Sequence, residues 1–223
     1  MKSFPSRRLA FASLRPTPRN AFPPFRKALG RILALLLLAD GLAPAPLWGE
    51  TVAFELDPQQ TTVTFTLGAF LHTVHGSFKL KRGAIRFDTE TGQASGEIVV
   101  DLTSGVTGNT SRDRKMHEEV LESQRYPEAV FSPERVEGHP SLQGESRAEL
   151  HGRMEIHGAK QELVVHVRAQ SKEGRATATA AFDVPYVKWG MKDPSTALLR
   201  VKDTVAVEVR TVAGPPGTPG TPG

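Results

Sequence analysis

The sequence predicts an all-β fold, a single antiparallel barrel of about eight strands. Apolar residues alternate with polar ones through most of the chain between about Glu50 and Ala213, as in strands with one buried face. Short clusters of turn residues separate these segments, and only one charged, helix-like stretch interrupts them, near 110–124. Closing such a sheet removes exposed strand edges, which favours a barrel.

The strand pattern recurs along the chain with short connections. Strands are predicted at 51–57, 61–67, 74–80, 83–88, 97–102 and 129–136, at two runs within 149–169, and at 175–185 and 203–212. Pro58 marks a turn between the first two strands, and Gly158 marks the tight turn within 149–169. Pro133 lacks an amide hydrogen, which places its strand near an edge or at a bulge.

The charged stretch predicts one short helical crossover near 110–124. Asn109 or Thr110 can cap a helix that begins near Ser111, and Asp113 follows Thr110 by three residues, as in a capping box. Pro127 forces the preceding residue out of the helical conformation and returns the chain to the sheet.

The predicted helix has a narrow apolar face. Met116 and Val120 are four residues apart and share one face, with Leu121 beside them, while the charged residues mostly face water. We therefore expect this segment to lie over one end of the barrel as a lid.

The first 49 residues have the pattern of a secretory signal peptide. They hold eight of the 28 Lys and Arg residues and one of the 24 acidic residues, followed by the apolar run ILALLLLA at 32–39. We expect cleavage at about 45–50. The remaining chain has 20 basic and 23 acidic residues, so its charge excludes a binder of the nucleic-acid backbone.

The folded domain is predicted to span 50–213, and two further features of the sequence concern its stability and its C-terminal limit. The chain contains no cysteine, so a protein outside the cytoplasm would depend on its core rather than on disulfides. The Gly, Pro and Thr residues of 214–223 predict a disordered tail, because three triplets are too few for a collagen helix.

The strand at 175–185 leaves the nature of the barrel interior open. Ala176, Ala178 and Ala180 fall on one face, and that face fills little space before Phe182. The interior is either hollow there, or a bulky neighbouring element packs tightly against the alanines.

The segment 104–136, SGVTGNTSRDRKMHEEVLESQRYPEAVFSPERV, resembles the signature of the YceI-like family of polyisoprenoid-binding periplasmic proteins. The matching positions are Asn109, Arg112, Asp113, Met116, His117, Leu121, Ser123 and YPEAVF at 126–131. The segments 72–88 and 152–167 resemble two hairpins of the same family, and the match extends over roughly 51–212.

The resemblance implies a lipocalin-like antiparallel barrel with a hydrophobic tunnel. It implies an exported, non-enzymatic protein that encloses a polyisoprenoid, an isoprenoid quinone or a similar long apolar ligand for carriage or storage. The expected partners are this lipid and, transiently, a membrane surface, with a homodimer as a further expectation and no nucleic acid. The alternative is a filled barrel that acts as an interaction or stress-response protein.

The candidate ligand-binding residues form two groups. Those expected in the lumen are Phe65, Leu67, Phe70, Phe78, Ile98, Val100, Phe131, Val165, Val167 and Phe182. Those expected at the lid or mouth are Met116, Val120, Leu121, Tyr186, Trp189 and Met191, with Lys188 and Lys192 near any anionic head group. Arg112 and Asp113 are expected to anchor the crossover as a structural pair.

The histidines predict neither a metal site nor a catalytic centre. His72 and His75 are three residues apart, which puts them on opposite faces of a strand. His151 and His157 share a face only without a bulge, and no cysteine or dense carboxylate cluster joins them. We therefore expect no bound cofactor other than the ligand itself.

Overall fold

The computed structural model describes residues 51–70, 72–196 and 200–215. The predicted leader at 1–49 and nearly all of the predicted tail lie outside these residues. The strands are β1 (Thr51–Leu56), β2 (Thr62–Gly68), β3 (Thr73–Asp88), β4 (Ala94–Val106), β5 (Glu128–His139), β6 (Gly144–Ile156), β7 (Ala159–Lys172), β8 (Arg175–Val184) and β9 (Val205–Gly214). A 3₁₀ turn covers Pro58–Gln60, helix α1 covers Thr110–Lys115, and a π-helical turn covers Met116–Val120.

These strands form a closed antiparallel barrel with eight strand positions. Each strand pairs with its neighbours in the order β1-β3-β2-β9-β8-β7-β6-β5-β4, and a β3–β4 pairing closes the ring. The strands β1 and β2 share one position, because β1 pairs with one half of β3 at Val52↔Phe87 and β2 with the other half at Leu67↔Val74. The predicted all-β barrel of about eight strands is thus confirmed.

One strand was divided wrongly by the sequence analysis. The segments 74–80 and 83–88 form the single strand β3, not two strands of a hairpin. Val74 and Leu80 are buried at even positions, but Gly83 and Phe87 are buried at odd positions. The register shifts between Leu80 and Arg82, so a bulge changes which residues face inward without ending the strand.

A bulge in β5, rather than a position at the sheet edge, explains how Pro133 fits into its strand. The strand β5 pairs with β4 on one side and β6 on the other, so it is not an edge strand. Its register shifts between Pro133 and Arg135. A bulge accommodates the missing amide hydrogen of the proline.

The connections between strands lie at the two ends of the barrel, and helix α1 lies at one of them. The crossover between β4 and β5, the β6–β7 turn and the loop between β8 and β9 lie at one end, called the helix end below. The connections β3–β4, β5–β6 and β7–β8 lie at the other end, called the far end. Among the described residues, no helix is long and apolar enough to cross a membrane.

Candidate ligand cavity

The barrel interior is hollow and almost entirely apolar. A cavity of about 670 Å³ extends from His72 and Lys115 at the helix end to Pro140 and Leu142 at the far end. Its wall is formed by inward-facing side chains of the strands. Carbon-lined space of this kind favours an apolar ligand over water, because water finds no hydrogen-bond partners there.

The space exists because one sector of the wall has small side chains. Ala176, Ala178 and Ala180 all line the cavity. Across the sheet, Ala178 pairs with Ala169 on β7 and Thr211 on β9, so its neighbours are also small. The three alanines thus border open space, and among the described residues the structure shows a hollow interior rather than a filled one.

Aromatic rings on β2 and β3 line another sector and lie close to the wall. The ring centroids of Phe65 and Phe78 are 5.2 Å apart. A Cβ atom at Gly76 would lie 2.3 Å from Phe65 Cζ, and one at Gly105 would lie 2.5 Å from Phe78 Cε1. The two glycines give the rings room to lie against the backbone, which keeps them from crossing the cavity.

The helical crossover contributes three side chains to the cavity, as the helical spacing predicted. Met116, Val120 and Leu121 all line it. The π-helical turn explains why they share a face: Leu121 N donates to Met116 O over five residues at 2.9 Å, which brings these two residues onto the same side.

A half-buried histidine fixes the crossover to the barrel. His117 Nε2 lies 2.8 Å from Gly105 O, and Nδ1 lies 2.9 Å from Ser123 Oγ. Because a carbonyl oxygen only accepts, Nε2 carries the proton, and in the neutral ring Nδ1 accepts from the serine hydroxyl. Ser123 is 1% exposed. His117 therefore has a structural role at this end.

Arg112 and Asp113 anchor the crossover through a shared threonine rather than to each other. Arg112 Nε donates to Thr107 Oγ1 at 2.7 Å, and the threonine hydroxyl donates to Asp113 Oδ1 at 2.5 Å. Asp113 Oδ1 also accepts from Thr107 N at 2.8 Å. The predicted capping box is therefore wrong, because Asp113 reaches back to Thr107 and Asn109 alone caps the helix through Arg112 N at 3.0 Å.

The loop between β8 and β9 closes the rest of the helix end. Tyr186 and Met191 line the cavity, and Met191 N donates to Tyr186 O at 3.0 Å. Tyr186 Oη donates to Lys202 O at 2.9 Å. Burial, with the nearby charges of Asp193 and Asp203, raises the pKa of Tyr186 to about 12.

Two polar contacts join this loop to the helical crossover. Lys192 Nζ lies 2.6 Å from Glu119 Oε2, and Lys115 Nζ donates to Pro194 O at 3.3 Å. The hydrogen bond and charge of Lys192 lower the pKa of Glu119 from its usual value. These polar contacts thus add to apolar packing, because Leu121 of the crossover and Tyr186 and Met191 of the loop belong to one buried hydrophobic cluster.

The predicted lumen and mouth residues line the cavity except at two positions. Those that line it are Phe65, Leu67, Phe78, Ile98, Val100, Phe131, Val165, Val167 and Phe182 from the lumen group, and Met116, Val120, Leu121, Tyr186 and Met191 from the mouth group. Met154, Ile156 and Val207 also line the cavity but were not among the predicted ligand-binding residues. Their alternation with polar residues along β6 and β9 is the signal that indicates this inward position.

Phe70 and Trp189 were placed wrongly. Phe70 is 80% exposed, because the β2–β3 loop turns it outward while its backbone nitrogen donates to Arg200 O at 2.9 Å. Trp189 is buried, but the hydrogen-bonded turn between Pro185 and Gly190 directs it to an outer groove beside Leu163. Lys188 lies in that outer groove as well, away from the cavity.

His151 and His157, which were not expected to bind a metal, have separate surroundings in the structure. His157 follows β6 and contacts Glu122 Oε1 at 3.2 Å, with its ring 4.6 Å from that of Tyr126. His151 lies on the outside of the barrel, where its ligand atom and those of Glu137 and Glu149 all fall within 4.8 Å of one another. This surface group is remote from the cavity, and we assign it no function.

Comparison with known proteins agrees with this geometry. The model of the YceI-like domain matches residues 54–213. The chain belongs to the YceI-like family. A search of curated proteins found no matching relative.

Solved structures show the same YceI-like fold at low sequence identity. A polyisoprenoid-binding domain from Saccharophagus degradans is 16% identical, with a TM-score of 0.59 over 74% of this chain and 99% of that one. BcnA of Burkholderia cenocepacia is also 16% identical, with a TM-score of 0.57 over 70% and 98%. The YceI protein of Campylobacter jejuni is 14% identical, with a TM-score of 0.54 over 65% and 86%.

Proposed function

We propose that this protein binds a polyisoprenoid or similar long apolar ligand inside its barrel. The observation that carries the proposal is the apolar cavity of about 670 Å³ that runs between the two barrel ends. Family membership and the similarity to the polyisoprenoid-binding domain of Saccharophagus degradans support the same ligand class.

Burial of hydrocarbon supplies the affinity. Each methylene group transferred from water into the cavity contributes about 0.8 kcal/mol, so a chain of several isoprene units needs few polar contacts. The cavity lining suits a flexible chain, because Met116, Met154 and Met191 are adaptable thioethers among branched and aromatic side chains.

The function is binding for carriage or storage rather than catalysis. The strand side chains that line the cavity are Phe, Leu, Ile, Val, Met and Ala together with the hydroxyl groups of Ser146, Ser171 and Thr211, and they include no general base. His117, close to the cavity, uses both ring nitrogens in hydrogen bonds to the fold.

Export through the predicted leader would place the barrel in the periplasm or outside the cell. Contact with a membrane surface and a homodimer stay predictions. Tyr186 and Trp189 are buried, whereas Phe70 is exposed at the helix end.

Native mass spectrometry of the protein, purified gently from its host without detergent, tests the proposal. We expect a non-covalent adduct that organic solvent extracts and that has the mass of an isoprenoid lipid. The extracted protein should then bind a purified polyprenol. A protein that carries no adduct and does not take up the polyprenol would refute lipid binding.

A further inference from the structure

The charged residues that line the cavity are confined to one end and are all basic. Arg112 and Lys115 line it at the helix end, together with the imidazole of His72. Among the described residues, no Asp or Glu side chain lines the cavity. The far end instead offers the neutral hydroxyl groups of Ser146 and Ser171.

The guanidinium of Arg112 is held in a fixed orientation. Two of its nitrogens donate to Thr107, Nε to Oγ1 at 2.7 Å and Nη2 to the backbone oxygen at 3.0 Å. The Thr107 hydroxyl in turn donates to Asp113. Arg112 is therefore preorganised, and its remaining donors need no rearrangement to meet a ligand.

Lys115 adds a second cation one helical turn later. Its ammonium group donates to Pro194 O at 3.3 Å, a neutral acceptor that leaves two further N–H groups for a ligand. The residue is three positions after Arg112, so the two side chains lie on the same face of the helix, toward the cavity.

The carboxylates of this end have other partners. Asp113 accepts two hydrogen bonds from Thr107, Glu119 pairs with Lys192, and Asp193 accepts from Ser195 N at 2.8 Å. Glu118 is exposed on the crossover, and Glu122 pairs with Arg125 and His157. These side chains therefore do not take the place of an anion at Arg112 and Lys115 inside the cavity mouth.

From this asymmetry we infer that the ligand carries an anionic head group, of the phosphate monoester class, which Arg112 and Lys115 bind at the helix end while the apolar chain extends toward the far end. The inference rests on the proposed function and adds the ligand's charge and direction to it. An anion beside two partly desolvated cations forms charge-assisted hydrogen bonds that a neutral hydroxyl or quinone head group cannot form equally well.

A matched pair of ligands tests the inference. Extracted protein is titrated with a polyprenol and with its monophosphate, both with the same number of isoprene units, at fixed ionic strength. We expect the monophosphate to bind about tenfold more tightly to the natural protein, the gain of a partly exposed charge-assisted contact. Lys115→Met should remove most of this preference while it keeps polyprenol binding, because methionine preserves the apolar part of the side chain.

Two variants serve as controls. Lys188→Met removes a lysine at the same end but outside the cavity, and it should keep the full preference. Arg112→Lys keeps a charge there and should retain part of the preference even where the thermal midpoint falls through the lost Thr107 contacts.

Equal binding of both ligands by the natural protein would overturn the head-group inference and leave the proposed function intact. A preference that persists unchanged in Lys115→Met would also overturn it. Failure to bind either ligand would instead refute the proposed function and, with it, this inference.

Discussion

The wall of the cavity and its helix end are built by different means. The wall consists of strands whose inward side chains are buried and whose backbones pair continuously, as β6 and β7 do over thirteen residue pairs. The helix end consists of two irregular segments that share part of the apolar core. On their outer side they are joined by the contacts of Lys192 with Glu119 and Lys115 with Pro194.

This difference separates two properties of ligand binding, the capacity of the cavity and the rate of ligand exchange. Side chains on the strands set how much hydrocarbon fits, and changing them alters packed surface at a cost of kilocalories. We expect the partly exposed polar contacts between the two end segments to affect ligand exchange, while such contacts contribute little to the free energy of unfolding. Wall substitutions should therefore change stability or capacity, and substitutions at the helix end should change ligand exchange.

Phe131→Ala should give the largest effect on stability. Phe131 is 4% exposed, pairs across the sheet with Ile98 and Met154, and lies against Gly152. We expect a loss of about 3 kcal/mol in the free energy of unfolding, at the lower end of such substitutions because one side of the ring faces the cavity. Urea denaturation measures it.

The control for this prediction is Val164→Ala on the outer face of β7. Val164 is 38% exposed, so the same measurement should give less than about 1 kcal/mol. Similar losses of unfolding free energy in the two variants would contradict the distinction between a packed inner wall and a solvent-exposed outer face.

Ala178→Phe should block the cavity while sparing the fold. The added ring enters space that is now empty, so we expect polyprenol affinity to fall on the order of a hundredfold, with a small change in the urea midpoint. Thr179→Phe places the same ring on the outer face of the same strand and should leave affinity unchanged. Undiminished binding to Ala178→Phe would show that the ligand does not occupy this sector.

Much of the wall could be predicted because strand alternation is a local property. Phe65, Val165 and Phe182 were assigned to the lumen from parity alone, and they line it. The division of β3 into two strands was wrong for the same reason: its inward parity changes at the bulge near Arg82, and a bulge is decided by pairing with β4, not by local sequence.

The helix end could be predicted less well because distant segments determine it. The apolar face of Met116, Val120 and Leu121 was readable from helical spacing, but the partners of Asp113 and Lys192 were not. The outward turn of Phe70 depends on a hydrogen bond to Arg200, 130 positions further along the chain. No pattern within the β2–β3 loop reports such a contact.

Tyr186 should give a moderate effect that depends on pH. Because its folded pKa is about 12 against an ordinary value of 10.0, its contribution to stability is complete below pH 10.0 and is lost as pH rises toward 12. Tyr186→Phe should cost about 1 kcal/mol at neutral pH, through the lost bond to Lys202 O, and the difference from the natural protein should shrink or reverse above pH 10.0. Urea denaturation at several pH values checks this, and a difference that stays constant with pH would contradict it.

Glu119→Gln should have the smallest effect on stability and a clear effect on exchange. It removes the ion pair with Lys192 that joins the crossover to the β8–β9 loop, and we expect ligand transfer to acceptor vesicles to become about two- to fivefold faster with an unchanged urea midpoint. The lowered pKa of Glu119 also predicts the direction of a pH dependence. In the natural protein the ion pair persists at neutral pH and is lost as pH falls through that lowered value. Ligand transfer should therefore become faster in acid. The variant should lack this acceleration, whereas Glu118→Gln, one position away and outside the pair, should keep it. Identical transfer rates for Glu119→Gln and the natural protein would mean that the ligand leaves without separation of these two segments, and that exchange, like capacity, is a property of the wall.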